Sequence, residues 1–192
     1  MVKKRVENAK QLIMDTSIEV FAEFGYDGAR VDEIAKRAGV NKSLIYYHFE
    51  GKEHLLKEMI SNFFKKFEKV IRETIGDDEK IEMAFRHFIN SEEPCIRIIL
   101  IESLKNNKTV PPLFSMVEGL IKLEEEILGR KENEKVKKRI VAEFFVNMIP
   151  RAFYVCFKDS WCKHFDMEED DLETTFYDVI VGVHSSYIRE LF

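Results

Sequence analysis

The sequence predicts an all-α protein. Apolar residues recur at helical spacing along nearly the whole of its 192 residues. Glycine, proline and short polar clusters punctuate those stretches at regular intervals. No segment alternates apolar and polar residues as a half-buried strand would.

The first helix is expected over Val6 to Phe24, with Ile13, Ser17, Val20, Phe21 and Phe24 on its inner stripe. Gly25 and Gly28 bracket the turn that follows. A short helix then spans Val31 to Ala38. Val31, Ile34, Ala35 and Ala38 form one apolar face, and the two alanines are small enough for a second helix to cross closely. Asp32 and Glu33 lie in its first turn, where carboxylates favour the positive end of the helix dipole. Gly39 follows the last apolar position and can take the left-handed conformation that ends a helix. Asn41 is a good N-cap for a new helix beginning at Lys42.

In that helix Ile45 and Phe49 point inward with Val40, while Ser43, Tyr46 and Tyr47 share the opposite face, flanked by Lys42, Leu44 and His48. An ordinary solvated helix face carries Glu, Lys and Gln; two adjacent tyrosines and a leucine suit a surface that lies against something. A DNA-binding helix-turn-helix presents the N-terminal residues of its second helix to base edges in the major groove. Lys42 can donate to guanine acceptors, Ser43 can bond either way, and Leu44 can touch a thymine methyl. Tyr46, Tyr47 and His48 come one turn later, where hydrogen bonds to phosphate set register. Lys52 opens the next helix, whose free N–H groups also suit a phosphate.

Beyond this motif a long helix is expected over Lys52 to Ile75, with Leu55, Leu56, Met59, Ile60, Phe63, Phe64, Phe67, Val70 and Ile71 holding the period. Its continuity would let it carry a displacement along the chain. Gly76 to Asp78 end it. A shorter helix covers Glu79 to Phe88, Ser91 to Pro94 break it, and the next reaches Lys105. Asn106 to Pro112 read as a loop with two prolines. A helix over Leu113 to Leu128 stops at Gly129. The Lys- and Glu-rich residues 130 to 139 start a helix running to Phe157, which Pro150 should kink because it removes one backbone donor. The last helix spans Glu168 to Leu191, with Leu172, Phe176, Val179, Val183, Tyr187 and Leu191 as its stripe.

These residues resemble the tetracycline-repressor-like (TetR) family of bacterial transcription regulators. The likeness covers Arg5 to Ile60 and rests on VFAEFGYDG (Val20 to Gly28), IAKRAGV (Ile34 to Val40), LIYYHF (Leu44 to Phe49) and KEHLL (Lys52 to Leu56), in that order and spacing. The resemblance implies an N-terminal three-helix DNA-binding domain, placed at residues 1–52, and a larger helical domain at 53–192 that binds an effector and dimerises. It implies DNA contacts at Arg30, Lys42, Ser43, Leu44, Tyr46, Tyr47, His48 and Lys52. Position 30 is often Thr or Ser in the family, so Arg30 forgoes a side-chain cap and gains a possible phosphate contact. Position 43 is often Gly, so Ser43 places a side chain where backbone would approach DNA. The last two long helices are implied to pair with their copies in a four-helix dimer interface.

Charge agrees with that division. The net charge is −5. Residues 1–52 hold nine basic and eight acidic side chains, whereas 53–192 hold 21 and 27. The acidity belongs to the C-terminal part, and Lys3, Lys4, Arg5, Lys42 and Lys52 can face DNA. Such a chain would read specific sites rather than coat DNA.

The expected partners are a double-stranded DNA operator, a second copy of the chain and a small, largely apolar effector oriented by His87, Arg97, Asn147, Tyr154 and Trp161. The Phe-rich composition, 16 Phe against one Trp, suggests that apolar interior, with nearly every Phe expected in a core. Control by a protein partner instead of a small molecule is the alternative. No nucleophile elbow, phosphate loop, metal cluster or carboxylate pair points to an enzyme, and no cofactor or metal is expected. Glu124, Glu125 and Glu126 read as a solvated face, and Cys162 near His164 as loop residues. Cys95, Cys156 and Cys162 have no familiar ligand spacing and read as reduced thiols of a cytoplasmic protein. No apolar h-region follows the basic N-terminus, and no uncharged apolar run approaches about 20 residues, so no membrane span is expected.

Overall fold

The computed structural model describes residues 2–74, 77–105, 111–129 and 134–191. Among the described residues every regular element is helical: α1 (Val2–Gly28), α2 (Val31–Ala38), α3 (Lys42–His48), α4 (Lys52–Thr74), α5 (Asp78–Ser91), α6 (Glu93–Leu104), α7 (Pro112–Leu128), α8 (Glu134–Ala142), a π-helical turn (Glu143–Met148), α9 (Ile149–Phe165) and α10 (Glu169–Leu191). The all-α expectation holds. The expectations for the side chains of Lys3, Lys4, Arg5, Glu124, Tyr187 and Leu191, and for most of the loop at 106–112, lie outside the described residues. The chain forms two compact units, Met1–Phe67 with Pro94–Pro112, and Glu68–Glu93 with Leu113–Phe192.

In the first unit α1 packs on α2 and α3, and α2 on α3. Ile13, Val20, Ile34, Ile45 and Leu55 are completely buried, and Phe21 and Phe49 nearly so. Ser17 joins this core by donating to the Ile13 carbonyl at 2.6 Å. A hydroxyl bonded back one turn leaves no unsatisfied group in the interior. Gly25, at φ 68°, ends the regular winding of α1 where the glycine pair predicts a turn. Phe24 departs from expectation. Its ring is 47% exposed, with the Arg37 guanidinium 5.3 Å above it. The break at Gly25 releases it from the inner stripe. Along α4 the buried line narrows to Leu55, Met59, Phe63, Phe67 and Ile71, spaced by four. α6 is buried at Cys95, Ile96, Ile98, Ile99 and Leu100.

In the second unit α9 packs on α5 and α10, and α8 on α10. Pro150 does not produce a sharp break. The preceding turn widens to the π-form over Glu143–Met148, and helix continues through the proline to Phe165. Wider i→i+5 winding leaves room for a residue without an N–H. Lys137–Phe165 also has the length and mean hydropathy, 1.5 over 18 residues, that a membrane-crossing helix or a core helix would have. Arg151 in its middle is buried and paired with Glu82 at 2.6 Å, which is a core helix's arrangement.

α10 corrects the sequence reading most clearly. Among its described side chains Tyr177 and Ile180 are buried, whereas Val179 and Val183 of the expected stripe are 61% and 48% exposed. The core expectation for phenylalanine also fails locally, because Phe145, Phe153, Phe157 and Phe165 are 42–64% exposed.

Candidate nucleic-acid interface and polar sites

α2 and α3 meet across a turn built by two local devices. Gly39 adopts φ 65°, and its N–H and that of Val40 return to carbonyls of α2. The Asn41 side chain accepts from the Leu44 amide at 2.8 Å, closing the first turn of α3. Arg30 occupies the N-cap position of α2 without a side-chain cap bond, as its substitution for Thr or Ser predicts. Arg37 bonds Glu33 within α2 at 2.8 Å and ties α2 to α1 through Glu23 at 2.5 Å.

On this frame α3 turns Ile45 inward and its polar face outward. Tyr46 is 49% and Tyr47 74% exposed, Ser43 and Arg30 are exposed, and Leu44 and His48 are half-buried. Lys42 bridges to Asp32 at 2.8 Å, a hydrogen bond that raises the ammonium's pKa. The Ser43 hydroxyl donates to Asn41 Oδ1 at 2.7 Å. His48 lies edge-on to Tyr47, with centroids 5.0 Å apart, and its buried Nε2 has no partner. Arg30, Lys42, Ser43, Tyr46 and Tyr47 are thus all exposed.

Lys52 is placed differently. Its Nζ donates to the carbonyls of Tyr26 at 2.7 Å and of Asp27 and Ala29 at 3.2 Å, and lies 4.5 Å from the Tyr26 ring centroid. The ammonium thus closes the orphan carbonyls left where α1 unwinds at Gly25. Tyr26 also lies 5.5 Å from the Lys105 ammonium, which binds Asp27 at 2.7 Å and Glu102 at 2.6 Å. This pair holds Asp27 below the usual carboxylate range. α6 is thereby fastened to the turn that precedes α2. Sequence reasoning missed Tyr26, Asp27 and Lys105. The only signal was a glycine-bracketed helix end in need of a donor, and the donors lie 25 and 78 residues away.

The five expected effector residues are divided between the two units. Arg97 belongs to the first unit and the other four to the second. His87 lines a cleft of about 440 Å³ with Glu82, Met83, Arg86 and Asn90. Asn147 donates to Glu143 at 2.8 Å. Tyr154 and Trp161 line an apolar groove of about 880 Å³ between α9 and α10, with Phe153, Phe157, Phe165 and Phe176. Tyr154 stacks on Phe176 at 4.2 Å, and burial raises its phenol pKa. Among the described residues, no group of three His, Cys, Asp or Glu side chains is placed to hold a metal.

Residues 13–59 match the family described as bacterial regulatory proteins, tetR family. Over 158 residues the chain is 27% identical to the biofilm operon icaADBC HTH-type negative transcriptional regulator IcaR of Staphylococcus aureus (strain Newman), covering 79% of this chain and 81% of that one. The fold is similar to that of a TerR/AcrR-family transcriptional regulator from Aquifex aeolicus VF5, with TM-score 0.58, 22% identity, and 91% and 99% of the two chains covered. It is also similar to that of the regulator FadR from Bacillus subtilis in complex with stearoyl-CoA, with TM-score 0.58, 19% identity, and 89% and 97% covered.

Proposed function

The chain belongs to the tetR family of bacterial regulatory proteins, and on that premise we propose that it is a cytoplasmic homodimeric repressor that holds a palindromic operator and lets go when a small molecule binds. The observation that carries this reading is the polar face of α3. Lys42, Ser43, Tyr46 and Tyr47 stand exposed on a helix whose other side, Ile45 and the following Phe49, is locked into the core. A rigid helix with hydrogen-bonding tips is what major-groove readout requires. Lys42 and Leu44 take the base-edge roles, with Ser43 beside them. Arg30, Tyr46, Tyr47 and His48 hold phosphates, and Lys52 positions the turn beneath them. Residues 1–52 form the reading part and 53–192 the effector-binding and pairing part.

The second copy is proposed to dock on α9 and α10. Exposed Phe153, Phe157, Trp161, Phe165 and Val179 make a contiguous apolar surface, and such patches mark interaction sites. Pairing of two such faces would cover both grooves. Trp161 serves this interface in the proposal rather than an effector. Lys105, directly after α6, grips Asp27 next to α2, and the effector's influence on the reading head is proposed to act on that contact. A ligand shifts the operator-binding state only by its differential affinity, typically about 1–3 kcal/mol of coupling.

The test is selection of sites from a random duplex pool, followed by salt titration on the selected duplex. The expected result is a palindrome with half-sites roughly 34 Å apart and a steep, sequence-dependent salt response. Weak binding that depends on salt alone, without a consensus, refutes the reading.

A further inference from the structure

Lys42, the cation proposed to read a base edge, is held by a carboxylate. Asp32 lies in the first turn of α2, and Lys42 opens α3. The Lys42 ammonium bonds Asp32 Oδ1 at 2.8 Å across the turn between the two helices. Both ends are solvated, with side chains 47% and 73% exposed. The neighbouring acids are placed differently. Glu33 and Glu23 are held by Arg37, and Asp27 by Lys105. Asp32 is thus the acid of α2 whose partner is itself a proposed base-edge residue.

An exposed pair of opposite charges contributes little to stability in water, so the fold is a poor account of this one. The pair changes two properties of the ammonium instead. First, it cancels the charge at a distance. A lone lysine is drawn to every phosphate of a duplex, and each such contact adds about 0.9 to the slope of log affinity against log salt. A lysine bonded to a carboxylate is only a dipole to the polyanion and adds little of that sequence-independent attraction. Second, the pair leaves the short-range chemistry in place. An ammonium has three N–H donors. One serves Asp32, and the other two suit the O6 and N7 acceptors of guanine. The bond also settles the tip of a flexible side chain, as the Asn41 cap settles the backbone beneath it. Ordering both ends beforehand lowers the entropy lost on reaching a base edge.

We propose that Asp32 is a specificity-determining positioning residue, which turns Lys42 from a general phosphate contact into a reader of guanine acceptors. The inference rests on the operator-reading function above and adds to it a residue that acts through Lys42. A duplex that offers Lys42 no guanine edge then gains neither a base contact nor a neutralised phosphate.

The selected operator and a random duplex of equal length are titrated with the full chain by fluorescence anisotropy at several salt concentrations. Asp32→Asn keeps the size of the side chain and removes its charge. It is expected to tighten random-duplex binding by about threefold and to steepen the random-duplex salt slope by roughly 0.9, the share of one phosphate contact. The ratio of operator to random affinity is expected to fall by about threefold. The melting temperature should stay within about two degrees of the parent, because the pair is exposed. A merely structural role would weaken both duplexes together and leave the ratio unmoved. The Lys42→Ala background separates action through Lys42 from plain removal of charge: there Asp32→Asn is expected to leave the ratio unchanged. A ratio unchanged by Asp32→Asn in the parent, or lowered as much in the Lys42→Ala background, overturns the proposal while the regulator reading stands. If the pool yields no operator, that reading falls and this inference falls with it.

Discussion

Two exposed aromatic surfaces of this protein differ in what their rings carry. On α3 the exposed rings are Tyr46 and Tyr47, each ending in a hydroxyl, set among Lys42, Ser43 and Arg30. On α9 and α10 they are Phe153, Phe157, Trp161 and Phe165, beside Val179 and Val183. The tyrosines can stay in water without a partner and exchange it for phosphate oxygens. The phenylalanines gain nothing from water and are stabilised only by another apolar surface. One aromatic face thus suits the proposed reading of a polyanion and the other the proposed pairing of two copies, and exposure alone would not distinguish them.

The largest expected effect tests the pairing surface. Trp161→Glu puts a charge into the centre of the proposed interface and should weaken self-association by on the order of 100-fold, read by sedimentation equilibrium. Operator affinity should fall with it, since two half-sites are read together. An unchanged dimer would erase the contrast between the two surfaces. Next come the base-edge residues. Lys42→Ala and Leu44→Ala should each reduce discrimination between operator and random duplex by roughly tenfold while leaving random-duplex affinity nearly intact.

Smaller effects sharpen the division of labour inside the reading head. Tyr46→Phe should weaken all duplexes alike, by about two- to fivefold, without changing the melting temperature. Lys52→Ala should also weaken all duplexes, but through the fold. It strands the carbonyls of Tyr26, Asp27 and Ala29, so its melting temperature should drop by several degrees. If Lys52→Ala melts like the parent, its role is direct phosphate contact instead.

The Lys105 latch should show the least. Lys105→Ala is expected to cut the effector's influence on operator affinity by about twofold, the low end of what one position along a coupling network changes. Its pH signature is fixed by Asp27, whose pKa in the fold lies below its ordinary 3.8 because Lys105 bonds its carboxylate. The stabilisation is then complete above the ordinary value and lost as pH falls through the lowered one. The difference in melting temperature between the parent and Asp27→Asn should stay constant from pH 8 to 5 and close only below about 4.

The reading head was largely legible in the chain. α2 and α3 begin and end where Gly39 and Asn41 place them, because helix stops and caps are decided by hydrogen bonds within about four residues. Ile34 and Ile45 were identifiable as core because each lies on a short helix with a single apolar stripe, and Phe49 because it follows Ile45 by four residues. The family resemblance rested on these same local elements.

What only the tertiary structure decided lies in helices with more than one apolar face and in partners far apart in sequence. Periodicity marks Val179 and Val183 as well as Tyr177 and Ile180, and it cannot say which pair a neighbour will cover. The ammonium of Lys52 and that of Lys105 look like solvated charges until α1 unwinds beneath them. Arg151 looks like one more surface arginine until Glu82, 69 residues earlier, and Tyr177 close around it. Local backbone geometry is written in adjacent residues; burial and pairing are properties of packed surfaces, and no window along the chain contains both sides of one.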